Sequence, residues 1–327
     1  MESASSFFIA DFLGTPAWVW LAFIGIVVSL LAFDLGVLHR GDREIGVRES
    51  LLLSAGYIGM ATLFGAWVWW LLGAQSGMAY FTGFLIEKSL SMDNVFVIAL
   101  IFGFFSIPRA YQHRVLFWGI LGVIALRAIL IGLGSALVSE LAWVLYLFGA
   151  FLLLTGLKML FMTEKPLDLA ANPVLRWMRR HMNVTDTLHG SRFWVRLPDP
   201  VAPARRAWFA TPLLLALVLI ELADLVFAVD SVPAIFAITQ DPFIVYTSNI
   251  FAILGLRALY FALAAMIQRF RYLKVALALV LVFIGGKIFL VGIVGKVPSA
   301  VSLGVTFALL LGGVLFSLHR TRSPSAT

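Results

Sequence analysis

Long runs of apolar residues separated by short polar connections make up almost the whole chain. A helix needs about 20 mostly apolar residues to cross the hydrocarbon core of a bilayer. Nine runs meet this requirement, at residues 16–38, 51–73, 79–103, 115–137, 141–162, 209–238, 243–267, 273–295 and 298–319. The pattern predicts an all-α polytopic membrane protein with nine transmembrane helices, forming one membrane domain over residues 1–327.

One connection, at residues 163–208, is much longer than the others. It follows a pair of helices at 16–73 and a three-helix segment at 79–162, and it precedes a second three-helix segment at 209–295 and a ninth helix at 298–319. Within it, the stretch NPVLRWMRRHM intersperses apolar and basic residues after Pro173. This pattern predicts a short helix at the membrane surface.

Basic residues are concentrated on one side of the predicted membrane. The connections after helices 1, 3, 5 and 7 and the C-terminal tail hold 18 of the 24 Lys and Arg residues, whereas the N-terminus and the remaining connections hold Lys296 alone. The positive-inside rule then predicts an external N-terminus and a cytoplasmic C-terminus. The net charge of +7 is expected to face lipid headgroups, so the lipid bilayer is an expected partner and nucleic acid is not.

Composition supports the membrane class and narrows the chemistry. Only 13% of residues are charged, against about 25% in an average soluble protein, and the mean hydropathy is +0.99. The chain has no cysteine, which removes disulfides, thiolate metal sites and dithiol redox chemistry from consideration. A direct redox enzyme is therefore not expected. The chain is predicted to be no enzyme and to have no catalytic residues and no resident cofactor.

Six carboxylates lie inside these apolar runs. An ionised carboxylate in a membrane helix costs at least ~2.5 kcal/mol, so such residues persist mainly where they line a polar cavity or have a partner. The six are Asp34, Glu87, Asp93, Glu221, Asp224 and Asp230. Five of them fall in two segments, FLIEKSLSMDNVF and ELADLVFAVDSVPA, which suggests two halves of one cation site.

The two three-helix segments carry similar ordered polar residues. Glu87 and Asp93 are six residues apart, as are Asp224 and Asp230; each pair is followed by an Arg, Arg127 or Arg257, and then by a Lys, Lys158 or Lys287. Three helices reverse the direction in which a segment enters the membrane. The sequence therefore predicts an inverted repeat of helices 3–5 and 6–8, with a substrate site near the midplane where helices 3 and 6 meet.

Oxygen donors dominate the polar residues of these helices, and they suit hard cations such as Mn²⁺, Mg²⁺ or Ca²⁺. Pro233 is expected to kink or unwind helix 6 beside Asp230. The predicted metal ligands are Glu87, Asp93, Asn94, Glu221, Asp224, Asp230 and Ser231. A second interpretation stays open, because the intramembrane Lys and Arg residues nearly balance the acids and some carboxylates then serve as salt-bridged supports. Asn94, Ser231 and Asn249 are either ligands or hydrogen-bond partners between helices.

Several segments resemble the TerC family of integral membrane proteins, and within it the Alx-type bacterial branch. They are FLIEKSLSMDNVFV, FSIPRAYQHRVLFWGILG, ELADLVFAVDSVPAIFAITQDPF, SNIFAILGLRALYF and FIGGKIFLV. The resemblance implies Mn²⁺ export at the bacterial inner membrane, with Glu87, Asp93 and Asn94 at the polar positions of the first motif and Glu221, Asp224, Asp230 and Ser231 at those of the second. Ala223 stands where many relatives are expected to have a hydroxyl residue.

The leading hypothesis is a secondary transporter that exports a divalent cation. Exchange for protons is a natural form of coupling, because protonation relieves repulsion between carboxylates that have released the cation. A different hard cation such as Ca²⁺ is an alternative. So is a non-transport partner protein that uses the 163–208 connection to help other proteins acquire metal or insert. An intramembrane aspartyl protease would need a GxGD motif, whereas Asp93 lies in SMDN and Asp230 in AVDS. The oligomeric state is not predicted.

Overall fold

The structure is a computed structural model that describes residues 11–33, 46–141, 143–161, 168–198, 206–263, 273–295 and 297–322. The helices in these ranges are α1 Ala17–Phe33, α2 Val47–Leu72, α3 Ala74–Phe104, α4 Arg109–Glu140, α5 Val144–Phe161, α6 Pro173–His181, α7 Pro212–Phe236, α8 Pro242–Leu263, α9 Leu273–Val294 and α10 Ser299–Arg322. Two short hairpins accompany them, β1 Asp11–Phe12 with β2 Thr15–Pro16, and β3 Trp194–Pro198 with β4 Arg206–Ala210.

Within the described ranges, seven helices are long and apolar enough to cross a membrane by length and composition: α2, α4, α5, α7, α8, α9 and α10. Of the three others, α1 has 17 residues, α3 has 31 residues but carries Glu87, Lys88 and Asp93, and α6 has 9 residues. The chain is thus an all-α polytopic membrane protein, as predicted. Nine crossings stay a prediction, because α1 is short and α3 is interrupted by charge.

Proline sets the start of several helices. Pro173, Pro212 and Pro242 are the first residues of α6, α7 and α8. Proline is tolerated there because an N–H group in the first turn has no hydrogen-bond acceptor within the helix. Asp241 precedes α8, and its side chain accepts a hydrogen bond from the backbone N–H of Phe243 at 2.9 Å. These local signals fix the registers of the helices that carry the polar residues.

The expected unwinding of the sixth predicted helix is wrong. Helix α7 is continuous from Pro212 to Phe236 with Pro233 inside it. Pro233 stands in the last turn, so the hydrogen bond that it removes lies near the helix end. Helix α3 is likewise continuous.

Helices α5 and α9 pack along each other more extensively than any other pair. Glycines bring their backbones into contact: a Cβ atom at Gly156 would lie 2.8 Å from the Ala278 carbonyl oxygen, and one at Gly285 would lie 2.7 Å from the Gly149 carbonyl oxygen. Small residues that allow such close approach are typical of packed helices in membranes. Helix α3 packs against α2, α7, α8 and α10, and α4 packs against α7 and α8.

One apolar cluster joins the C-terminal halves of α3 and α8 to the N-terminal halves of α4 and α7. It contains Phe102, Leu116, Leu213 and Tyr260, together with Met178 of α6. We call this side of the bundle the loop end, because the segment between α5 and α7 covers it. Helices α3 and α7 therefore run in opposite directions.

The opposite side of the bundle, which we call the far end, is closed by aromatic side chains from α1, α2, α3 and α8. Phe64 and Phe251 have ring centroids 4.7 Å apart, and Phe23, Tyr80 and Phe243 complete the cluster. All five side chains are almost fully buried. Helices α1 and α2 thus contribute packing at this end.

The segment between α5 and α7 has more structure than the sequence predicted. Helix α6 starts after Asn172, which caps it, and it buries Leu175 and Met178 against the bundle while Trp177 stays exposed. The β3–β4 hairpin was not anticipated; in it the Arg196 guanidinium lies 4.6 Å from the ring centroid of Trp208. The described part of the connection is therefore a folded cap on the loop end.

Candidate functional site

The centre of the bundle holds a buried arginine between two carboxylates. Arg127 of α4 has no exposed side-chain surface, and Glu87 of α3 and Asp224 of α7 are 1% and 6% exposed. The Arg127 Nη2 atom lies 3.2 Å from Glu87 Oε1 and 3.2 Å from Asp224 Oδ1. One carboxylate from each of the two predicted repeat units therefore shares a single cation.

The guanidinium of Arg127 is held more firmly on the α7 side. Its Nε donates to Asp224 Oδ2 at 3.2 Å, and its Nη1 donates to the Ser231 hydroxyl oxygen at 2.6 Å. Asp224 and Ser231 are seven residues apart, so they lie two turns apart on one face of α7. The fork geometry of arginine suits this bidentate contact.

Two buried asparagines complete the cluster. Asn94 Nδ2 donates to Asp224 Oδ1 at 3.3 Å, and Asn249 Nδ2 of α8 donates to Glu87 Oε2 at 3.0 Å. The side-chain oxygens of both asparagines are buried and have no hydrogen-bond partner among the described residues, and the same is true of the Ser91 hydroxyl. Buried polar atoms are rarely left unpaired, so each of these oxygens retains the capacity to accept a hydrogen bond or to bind a cation.

A cavity of about 30 Å³ opens beside Asp224. Asn94 and Asp224 are its polar walls, and Gly119, Ala223 and Leu256 are among its apolar ones. All the lining residues belong to α3, α4, α7 and α8, and they continue from the central cluster into the half of the bundle at the loop end. The cavity therefore lies between the central cluster and the loop end.

Glu221 lies one turn before Asp224 on α7, against the α4 backbone. A Cβ atom at Gly122 would lie within 2.6 Å of Glu221 Oε2, so the glycine makes room for the carboxylate. Glu221 Oε2 is buried without a hydrogen-bond partner. Sequence reasoning found Glu221 but missed the glycines at 119 and 122, because a residue without a side chain carries no chemical signal.

Asp230 does not join the cluster. Because α7 is a regular helix, Asp230 points away from Asp224 and towards α5, where it accepts a hydrogen bond from the Thr155 hydroxyl at 3.4 Å. Two buried lysines also lie apart from the centre. Lys88 donates to the Ala252 carbonyl oxygen at 3.1 Å, and Lys287 donates to the Ser302 hydroxyl at 3.3 Å.

The remaining predicted residues are outside what the structure describes. Asp34 lies in the range 34–45, and the side chains of Asp93 and Arg257 are also not described. Of the seven predicted ligands, the structure brings Glu87, Asn94, Asp224 and Ser231 together and sets Glu221 one turn away. Among the described residues, no group of three or more His, Cys, Asp or Glu is close enough to hold a metal ion by itself.

The family model described as "Integral membrane protein TerC family" matches residues 72–325. A relative from Rickettsia bellii, "Uncharacterized membrane protein", is 46% identical over 92% of this chain and 97% of its own. One from Myxococcus xanthus, "Uncharacterized membrane protein STKORF319", is 47% identical over 94% of each chain. "Putative membrane-bound redox modulator Alx" from Escherichia coli K12 is 47% identical over 91% of this chain and 93% of its own. No solved structure matches the chain.

Proposed function

Because the chain belongs to the TerC family of integral membrane proteins, we propose that it is a secondary transporter that exports a hard divalent cation, most readily Mn²⁺, across the bacterial inner membrane. The observation that carries the proposal is the meeting of Glu87 and Asp224 on opposite sides of the buried Arg127. Charged groups buried among membrane-crossing helices are costly, and they are typical of ion pathways. In this proposal the cation is the substrate and the protein catalyses no reaction.

The donor set supports a hard cation. Two carboxylates, the unpartnered oxygens of Asn94 and Asn249 and the Ser91 hydroxyl are all oxygen donors. Oxygen ligands suit Mn²⁺, Mg²⁺ and Ca²⁺, and the chain has no cysteine to favour a soft metal. The preference for Mn²⁺ rests on the resemblance to the family described above.

The packing of the helices supports the inverted repeat. Helices α3, α4 and α5 would correspond to α7, α8 and α9, and α3 and α7 run in opposite directions. When each helix is exchanged for its counterpart, the contact of α3 with α8 becomes that of α7 with α4, and the contact of α5 with α9 is unchanged. Such a repeat places a substrate site between its first helices, where Glu87 and Asp224 lie.

Alternating access would then expose the centre to each side of the membrane in turn. The cavity beside Asp224 lies on the loop-end side, and the aromatic cluster closes the far end. The distribution of basic residues predicts that the loop end is cytoplasmic. In this arrangement the substrate enters beside Asp224 from the cytoplasm, as export requires.

The name of the Escherichia coli relative points to redox biology. The 327 residues contain no thiol, so a direct dithiol reaction is not part of the proposal. A transport role also differs from that of a partner protein for other membrane proteins, which would not need a buried carboxylate centre.

The test compares the protein with its Asp224→Asn variant in cells of matched expression, measuring Mn²⁺ content and tolerance. Asp186→Asn, which changes an exposed carboxylate between α6 and β3, is the matched control. We expect Asp224→Asn to lower export by at least ~10-fold, since even outer-shell residues of metal sites have effects of this size. Equal export by all three proteins would contradict the proposal.

A further inference from the structure

We infer that Arg127 is a tethered cation that takes the place of the substrate between Glu87 and Asp224 whenever the substrate has left. This inference rests on the proposed function and adds a statement about how the transporter resets. Arg127 and the substrate would occupy the same two carboxylates alternately. The guanidinium is therefore a competitor of the transported ion as well as a structural partner of the acids.

The first argument is geometric. A single nitrogen, Arg127 Nη2, lies 3.2 Å from Glu87 Oε1 and 3.2 Å from Asp224 Oδ1. A divalent ion that bridges the same two carboxylates must sit between the same oxygens, at about 2.0–2.6 Å from each. Because that space is taken by the guanidinium, the ion and the arginine exclude each other.

The second argument comes from the asparagines. The side-chain oxygens of Asn94 and Asn249 accept no hydrogen bond, although these side chains are 5% and 0% exposed and donate to the two central carboxylates. Arg127 has only donors, yet it leaves both oxygens unsatisfied. Each amide group thus keeps an oxygen atom that Arg127 does not use, and rotation of the amide would offer that oxygen to a metal ion between the carboxylates.

The third argument concerns charge. Without any cation, Glu87 and Asp224 would be two negative charges buried close together, which is costly among membrane helices. Arg127 compensates them and leaves a net formal charge of −1 for the three groups. With Arg127 in place, the transporter can therefore change conformation without carrying a substrate, as the return step of net export requires.

This role differs from that of a structural salt bridge. A structural arginine would affect all activities through folding, and its guanidinium shape would be essential. A tethered cation must be displaced by the substrate, and any positive charge of suitable reach should serve. The two roles therefore predict different results for Mn²⁺ exchange, for net Mn²⁺ efflux and for chemical restoration of the charge.

The experiment uses the full chain in proteoliposomes and measures two fluxes, net Mn²⁺ efflux and the exchange of Mn²⁺ across the membrane with Mn²⁺ on both sides. Arg127→Gln should retain exchange and lose net efflux by about tenfold or more. It should also bind Mn²⁺ about 10–100-fold more tightly, because removing a competing occupant restores the full binding-competent fraction. Arg114→Gln, an exposed arginine at the start of the same helix, is the matched control.

The absence of cysteine allows a second test that does not depend on the stability of Arg127→Gln. Arg127→Cys is treated with an aminoethyl methanethiosulfonate, which adds a tethered ammonium, or with methyl methanethiosulfonate, which adds no charge. Net efflux should return after the first reagent only. Mn²⁺ should slow the modification of the cysteine, whereas it should not slow the modification of Arg114→Cys.

The outcomes are distinct. Wild-type net efflux by Arg127→Gln, or equal recovery after both reagents, would overturn the inference while leaving the transport proposal intact. Loss of exchange together with net efflux in a variant that still unfolds at the wild-type temperature would also overturn it, since Arg127 would then be needed to bind the substrate. A wild-type protein that moves Mn²⁺ in neither assay would refute the proposed function itself.

Discussion

The two carboxylates that share Arg127 have different surroundings. Glu87 accepts a hydrogen bond from Asn249, and Phe84, one turn before it on α3, is buried in the aromatic cluster of the far end. Asp224 faces the cavity, and Glu221, one turn before it on α7, is a second carboxylate. One side of the centre is therefore closed by apolar side chains, whereas the other borders a small cavity and carries a second carboxylate.

The difference follows from two positions in the predicted repeat. Phe84 and Glu221 each stand three residues before a central acid. Asn249 and Gly119 each stand eight residues before an arginine, Arg257 or Arg127. Where one unit has an amide that contacts Glu87, the other has a glycine that lines the cavity. The side chains at these positions thus distinguish the side of the centre that borders the cavity from the side that does not.

The strongest test of this comparison is to neutralise each central acid in turn. Asp224 holds Arg127 through two guanidinium nitrogens and Glu87 through one, so Asp224→Asn should destabilise the protein more than Glu87→Gln. Breaking a buried ion pair costs about 3–5 kcal/mol, and thermal unfolding in detergent measures the difference. Asp186→Asn is the control. A larger loss of stability for Glu87→Gln than for Asp224→Asn would show that Glu87 holds Arg127 more strongly than Asp224 does.

A second substitution would give the Asp224 side of the centre an amide like the Asn249 amide that contacts Glu87. Gly119→Asn places an amide in the cavity beside Asp224 and should slow Mn²⁺ transport by about tenfold, or ~1.4 kcal/mol in the barrier. Gly119→Ala is the control, because its Cβ atom would meet its nearest neighbours at an ordinary 3.8 Å. Full transport by Gly119→Asn would show that the cavity is not the route of entry.

The smallest expected effect concerns Glu221. Gly122→Ala would force the Glu221 carboxylate to move, since the new Cβ atom would lie within 2.6 Å of its Oε2. Transport should fall a few-fold, and adding Glu221→Ala should cause little further loss because the two residues are in contact. Gly132→Ala, on the same helix with nothing within 4 Å of its Cβ position, should transport normally. Additive effects of the two substitutions in the double variant would show that Gly122 does not act through the Glu221 carboxylate.

The sequence predicted the helices well because apolar runs of membrane length leave few alternatives. The predicted ends of α9, for example, differ from the observed ones by a single residue. Glu87 and Asn94, which the sequence analysis gave as ligands from one segment, are seven residues apart and so share a face of α3. The β3–β4 hairpin was missed because its strands are short and because the prediction for this connection rested only on its charge and its amphipathic pattern.

The partners of the polar residues could not be predicted, because they depend on how helices distant in the chain pack. The sequence allowed some acids to be salt-bridged, but it did not indicate that Arg127 would serve Glu87 and Asp224 together. Asp230 was placed in the cluster only by assuming an unwound turn at Pro233. The regular helix takes Asp230 instead to Thr155, and its role as a ligand stays a prediction.

The glycine contacts between α5 and α9 limit how this protein can move. A Cβ atom at Gly156 or Gly285 would lie within 2.8 Å of a backbone carbonyl oxygen of the facing helix, so the two backbones already touch and leave no space for a closer approach. Helices α5 and α9 should therefore move together as one rigid pair, which joins the two predicted repeat units at their third helices. In the proposed transport cycle, opening of the far end would then be carried by α3 and α7, which turn relative to this pair with their carboxylates near the centre.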